Sequence, residues 1–107
     1  MRIDLLTLFP EACEPFFASS LIGKARQSGL VDIHCHNIRG FTDDRHGKVD
    51  DRPFGGGPGM VLMCQPVFDA VETVDRIASD PAERILLTPA GEPFTQEIAW
   101  ELSRSKR

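Results

Sequence analysis

Ile3-Asp4-Leu5-Leu6-Thr7-Leu8-Phe9 and Leu30-Val31-Asp32-Ile33-His34-Cys35-His36-Asn37-Ile38 decide the fold class. The first is a short apolar run stopped by Pro10, the signature of a buried strand. The second alternates apolar Val31, Ile33 and Cys35 with polar neighbours, the period of two of a strand. Between them, residues 15–27 place Phe17, Leu21, Ile22 and Ala25 at helical spacing, and Gly29 closes that helix. Strand, helix and strand in about forty residues predict a βαβ unit with a parallel pair and right-handed crossover.

Outward from this unit the pattern changes. Residues 39–59 show neither period, and a structureless loop of that length is usually functional or disordered. Met60-Val61-Leu62-Met63 can form a short strand, Pro66 suits a helix start, and Val67, Ala70, Val71 and Val74 keep helical spacing to Ala78. Arg84-Ile85-Leu86-Leu87-Thr88 reads as a further core strand ended by Pro89. Thr95 is an N-cap for a last helix with Ile98, Ala99 and Leu102 inward. The predicted class is α/β, with a mostly parallel open sheet and flanking helices in one small domain of 107 residues.

Composition narrows the function classes. Hydrophobic residues at 41% and charged residues at 26% are those of a globular chain, not a disordered one. No stretch approaches 18 apolar residues, which excludes a helical membrane span, and the N-terminal apolar run carries no cleavage site, which argues against a signal peptide. The net charge of −4 opposes unaided nucleic-acid binding, but charge is segregated along the chain. Lys24, Arg26, Arg39, Arg45, Lys48 and Arg52 fall within one stretch, whereas Asp69 to Glu83 carries five acids against Arg76 alone. Cys13, Cys35 and Cys64 form neither a CxxC pair nor a disulfide framework, so a reducing cytosol is the default. His34-Cys35-His36 puts both histidines on one strand face, but no second ligand cluster matches it, and a polar strand face is preferred to zinc.

Two segments carry candidate chemistry. In Asp50-Asp51-Arg52-Pro53-Phe54-Gly55-Gly56-Gly57-Pro58-Gly59-Met60 the glycines let a ligand reach the main chain, whose free N–H groups can cradle an anion or grip a base edge. It is neither a Walker A loop nor a dinucleotide fingerprint, because no Gly-Lys-Ser/Thr follows and no helix opens at once; a plain surface connection is the competing reading. In Leu86-Leu87-Thr88-Pro89-Ala90-Gly91 a strand ends in a Pro-X-Gly turn at the carboxyl edge, where open α/β sheets bind ligands, although an ordinary strand-to-helix turn has the same form. Asp43, Asp44, Asp50 and Asp51 are interleaved with Arg45, Lys48 and Arg52, as in a solvated mixed-charge loop, and His46 is a candidate acid/base or nucleic-acid contact.

These pieces in this order resemble one family. Ile3 to Pro10, Ile38-Arg39-Gly40-Phe41-Thr42, His46-Gly47-Lys48-Val49-Asp50-Asp51, Pro53 to Met60 and Leu87-Thr88-Pro89-Ala90-Gly91 are similar to segments of the bacterial tRNA (guanine-N1)-methyltransferases. The resemblance covers Met1 to Arg107. It implies methyl transfer from S-adenosylmethionine to N1 of guanosine 37 in tRNA, in the cytoplasm, by a homodimer of the trefoil-knotted α/β (SPOUT-type) methyltransferase fold. It further implies that Leu86, Leu87, Thr88, Pro89, Ala90 and Gly91 form the first knot loop around the cofactor. Asp50, Arg52, Gly55, Gly56, Gly57, Pro58 and Gly59 would lie at the target guanine and the RNA. Thr88 and Ala90 stand where the family more often has Ser and Gln; Thr keeps the hydroxyl and Ala loses a polar contact.

Family members are more than twice as long, so residues 1–107 are expected to be the N-terminal part of the knotted domain, with the knot not completed within them. The presumed general base, an Asp, is expected beyond Arg107, and no catalytic residue or metal ligand is assigned within the chain. Alone, the chain is expected to be inactive and poorly stable, with a sheet edge and an apolar face uncovered. The alternative reading is a non-catalytic RNA- or nucleotide-binding α/β module that uses the glycine loop without chemistry.

Overall fold

The computed structural model describes residues 1–78 and 80–107. Strand β1 (Arg2–Thr7) pairs in parallel with β2 (Asp32–Asn37), in register Arg2↔Asp32 through Thr7↔Asn37. The predicted βαβ unit therefore forms, but its crossover is two helices, α1 (Pro10–Phe17) and α2 (Ser20–Gln27), not one helix over 15–27. Pro10 both ends the strand and opens α1, since its fixed φ and missing N–H suit a first helical turn. The break at Ala18–Ser19 follows from Ser19 turning extended ahead of α2. It also lets α2 approach closely: a Cβ on Gly23 would meet the Ala18 carbonyl oxygen at 2.2 Å, a contact only glycine avoids.

After β2 a 3-10 turn (Ile38–Phe41) leads into the loop predicted to be structureless. Within that loop Asp50–Asp51 (β3) pairs antiparallel with Val61–Leu62 (β4), so the stretch is a hairpin whose ends are fixed. Helix α3 (Cys64–Ile77) then covers the unit. Its inward side carries Pro66, Ala70 and Val74, which with Ile33, Ile38 and Val49 form the core. The last helix, α4 (Gln96–Leu102), starts where Thr95 predicts: the Thr95 hydroxyl accepts the Ile98 N–H at 3.4 Å.

Residues 84–88 depart from expectation. They are not a strand; Ile85, Leu86 and Leu87 are exposed, the last two by 84% and 86%. A strand needs a laddered neighbour, and the backbone bond in this region runs from the Glu83 N–H to the Arg107 carbonyl at 3.2 Å. The outward-facing N–H of Arg2 in β1 is taken at 2.8 Å by the Lys106 carbonyl. Residues 105–107 thus occupy the edge of β1, and 84–88 find no strand beside them among the described residues. The result is an apolar cavity of 410 Å³ walled by β1, α3, residues 82–85, Leu87 and the terminal segment.

Candidate functional site

The glycine segment is mounted on a rigid base. Asn37 Oδ1 accepts the Arg39 N–H at 2.9 Å and starts the 3-10 turn, whose Ile38 is buried beside α3. Gln65 at the start of α3 donates to the Phe41 carbonyl at 3.1 Å. Val49 is fully buried, and its carbonyl accepts the Met63 N–H at 2.8 Å, so the hairpin β3–β4 leaves and returns at one fixed point.

Beyond that anchor, residues 54–60 are all exposed. Gly55, Gly56, Gly57 and Gly59 have φ of 85°, 82°, 114° and 89°, and nothing lies within 4 Å of where their Cβ atoms would be. Glycine is therefore required by the backbone path, not by crowding. The path contains one turn bond, from the Gly56 N–H to the Pro53 carbonyl at 3.1 Å. Such a segment offers its main-chain donors and acceptors to a planar polar ligand, with the ring of Phe54 fully in solvent beside it.

The flanking loop supplies charge. Lys48 Nζ lies 3.1 Å from Asp51 Oδ1, which also accepts the Arg52 N–H at 2.8 Å. These two partners, the Arg52 backbone first, hold the Asp51 carboxyl below its usual value. Arg45 and Arg52 enter no ion pair among the described residues, and Arg45, His46 and Arg52 are exposed. Asp50, half-buried in β3, sits at the root of the loop. Asp50, Arg52 and the glycines thus share one hairpin.

The second predicted segment forms a turn without a strand before it. Thr88 Oγ1 accepts the Ala90 N–H at 3.3 Å and the Thr88 carbonyl accepts the Gly91 N–H at 3.1 Å, leaving Pro89 and Ala90 at the tip. Leu86 and Leu87 stand exposed immediately before this hydroxyl-bearing turn. No hydrogen bond or sheet pairing joins residues 86–91 to 50–59 among the described residues.

The histidines of β2 take structural partners: His34 bonds Asp32 at 2.8 Å and His36 donates to Asp4 at 2.9 Å. Asp4 is the feature that the pattern of residues did not single out. Its carboxylate, 6% exposed, also accepts from Arg2 at 2.9 Å and from Arg107 Nε at 2.8 Å. The Arg107 side chain, 4% exposed, reaches on to Asp75 and to the carbonyls of Val74 and Asp80. Burial pushes the Asp4 carboxyl up, but the hydrogen bonds from Arg2, Arg107 and His36 outweigh it and hold the group far below the carboxylate range. An acid at the second residue of an apolar strand run was the available signal, because a buried carboxylate requires cationic partners.

The family model for "tRNA (Guanine-1)-methyltransferase TrmD" matches residues 1–107. The chain belongs to this family. A tRNA (guanine-N(1)-)-methyltransferase from Synechococcus sp. (strain JA-2-3B'a(2-13)) is 50% identical over 104 residues, covering 97% of this chain and 41% of the relative. The corresponding protein of Ruminiclostridium cellulolyticum is 45% identical over 106 residues, covering 99% of this chain and 46% of its own length. The crystal structure of tRNA (m1G37) methyltransferase from Aquifex aeolicus superposes with a TM-score of 0.85 at 32% identity, over 100% of this chain and 48% of that one. The chain therefore spans less than half the length of these family members, and within that span its α/β fold is theirs.

Proposed function

We propose that residues 1–107 are the guanine-presenting part of a tRNA (guanine-N1)-methyltransferase that modifies guanosine 37. The observation that carries this reading is the exposed run of positive-φ glycines, Gly55 to Gly59, on a fixed hairpin, in a chain matched from end to end by the family model. Main-chain groups of that run would meet the polar edge of the guanine, with Asp50 at the root and Pro58 shaping the tip. Arg52 and the neighbouring basic residues Arg45 and Lys48 would meet phosphate, where cations supply most of the affinity. S-adenosylmethionine supplies the methyl group when bound; Leu86, Leu87, Thr88, Pro89, Ala90 and Gly91 would form one wall around its adenosine. Methylation at N1 displaces the N1 proton, which needs a base; none of residues 1–107 is assigned that role, and the expected Asp belongs to the remaining length of the family. We assign the complete enzyme to the cytoplasm, as a knotted homodimer. No helix of the described residues is long and apolar enough to cross a membrane.

The test joins residues 1–107 to the remaining portion of the Synechococcus relative and measures transfer of labelled methyl groups to unmodified tRNA. Transfer by the chimera and none by the 107 residues supports the reading. Transfer by the 107 residues alone would overturn the placement of the base outside them. Binding of tRNA with no transfer by the folded chimera would favour a binding module without chemistry.

A further inference from the structure

Two adjacent acids, Asp43 and Asp44, stand in the mixed-charge loop beside Arg45 and Lys48, where like charge would repel a phosphate bound by those cations. They are not equivalent. Asp44 Oδ2 accepts the N–H of His46 at 2.7 Å and the N–H of Lys48 at 3.1 Å. The Asp44 carbonyl accepts the Gly47 N–H at 3.0 Å, and the Asp44 N–H is held by Thr42 Oγ1 at 3.2 Å. Thr42 Oγ1 in turn donates to the Lys48 carbonyl at 2.8 Å, and Arg39 Nη1 donates to the Gly47 carbonyl at 3.1 Å. The side chains of Asp44, Arg45, His46 and Lys48 all lie at the surface, so hydrogen bonds and not apolar burial give residues 42–48 their shape. The Asp43 carboxylate takes no hydrogen bond or ion pair among the described residues.

We propose that Asp44 is a positioning residue for polynucleotide binding: by closing residues 44–48 on its own carboxylate it fixes Arg45, His46 and Lys48 as one surface of donors beside the glycine hairpin. Lys48 connects the two directly, through its ion pair with Asp51 of β3. The negative charge opposes phosphate; the shape it imposes aligns three donors to it, and preorganised donors bind without first being ordered. This inference rests on the tRNA-binding reading above.

Electrostatics and positioning predict opposite signs, which makes the test decisive. Binding of an unmodified anticodon stem-loop by the chimera with the Synechococcus portion is measured by fluorescence anisotropy, with amide hydrogen exchange at His46 and Lys48 followed in parallel. Removing an acid near phosphate should tighten binding on charge alone. Asp43→Ala is expected to do that or to change nothing. Asp44→Ala is expected to weaken binding about fivefold, flatten its salt dependence, and speed exchange at the two amides. Asp44→Asn, which keeps an acceptor oxygen without the charge, is expected to retain slow exchange and to bind at least as tightly as the parent. Tighter binding by Asp44→Ala, or unchanged exchange at both amides, would overturn the proposal. Absence of stem-loop binding by the unaltered chimera would instead count against the tRNA reading, and the exchange data would still show whether Asp44 sets the loop.

Discussion

Residues 3–9 and 84–88 share a signature, an apolar run closed by proline, yet only the first becomes a strand. Leu5 and Leu6 lie in a ladder with Cys35 and His36, whereas Leu86 and Leu87 are almost wholly in solvent. The residues are equally suited to extended structure. What differs is the neighbour: β2 lies alongside the first run, and among the described residues no strand lies alongside the second. Strand formation is therefore a property of the pair and not of the run, and an apolar segment without a partner stays exposed.

This contrast can be broken or sharpened by experiment, beginning with the largest effect. Amide exchange should be slower by about a hundredfold or more at Leu5 and Leu6 than at Leu86 and Leu87. In the chimera with the Synechococcus portion, the second pair should gain protection toward the first; continued fast exchange there would mean that the run is not strand-forming in any context. Next in size, Asp4→Ala should cost about 3 kcal/mol in urea unfolding, because it leaves Arg2, His36 and Arg107 without their shared acceptor.

Acid should reproduce part of that loss. The folded-state Asp4 carboxyl is depressed, so the unfolded chain binds the proton more readily. Its contribution is complete above the unfolded value of about 3.9 and is lost as pH falls through the folded one. Unfolding monitored between pH 5 and pH 2 should show stability falling with pH, and Asp4→Asn should flatten most of that slope. Smallest is a matched pair of truncations. Val74→Ala, at a buried position of α3, should cost about 2 kcal/mol. Leu87→Ala removes a larger side chain yet should stay within about 0.5 kcal/mol in the 107-residue chain.

The parallel pair, the covering helix and the Thr95 cap were legible because each rests on local periodicity or on one side chain's bond to its own backbone. The split of the crossover was not legible, since it depends on Gly23 meeting the Ala18 carbonyl in three dimensions. Val61–Leu62 falls within the short strand expected over residues 60–63, but its partner Asp50–Asp51 escaped notice because two charged residues in a mixed-charge loop carry no period. At the candidate site, the glycines announced a backbone of unusual torsion, and four of them have it. The roles of Asp4 and Asp44 stayed hidden because a lone acid looks the same in sequence whether it is solvated or holds other groups in place.

The closure at Val49 has a further consequence for how this molecule can vary. Because the Val49 carbonyl and Met63 N–H fasten both ends of the hairpin, the span between them is a closed ring, and doubling such a ring costs only about 0.6 kcal/mol of closure entropy. Insertions or deletions between Asp51 and Val61 should thus be nearly neutral to folding. The length of the glycine run is then set by whatever it must fit around, and a library of ring sizes would read out the dimensions of that ligand while the scaffold stays unchanged.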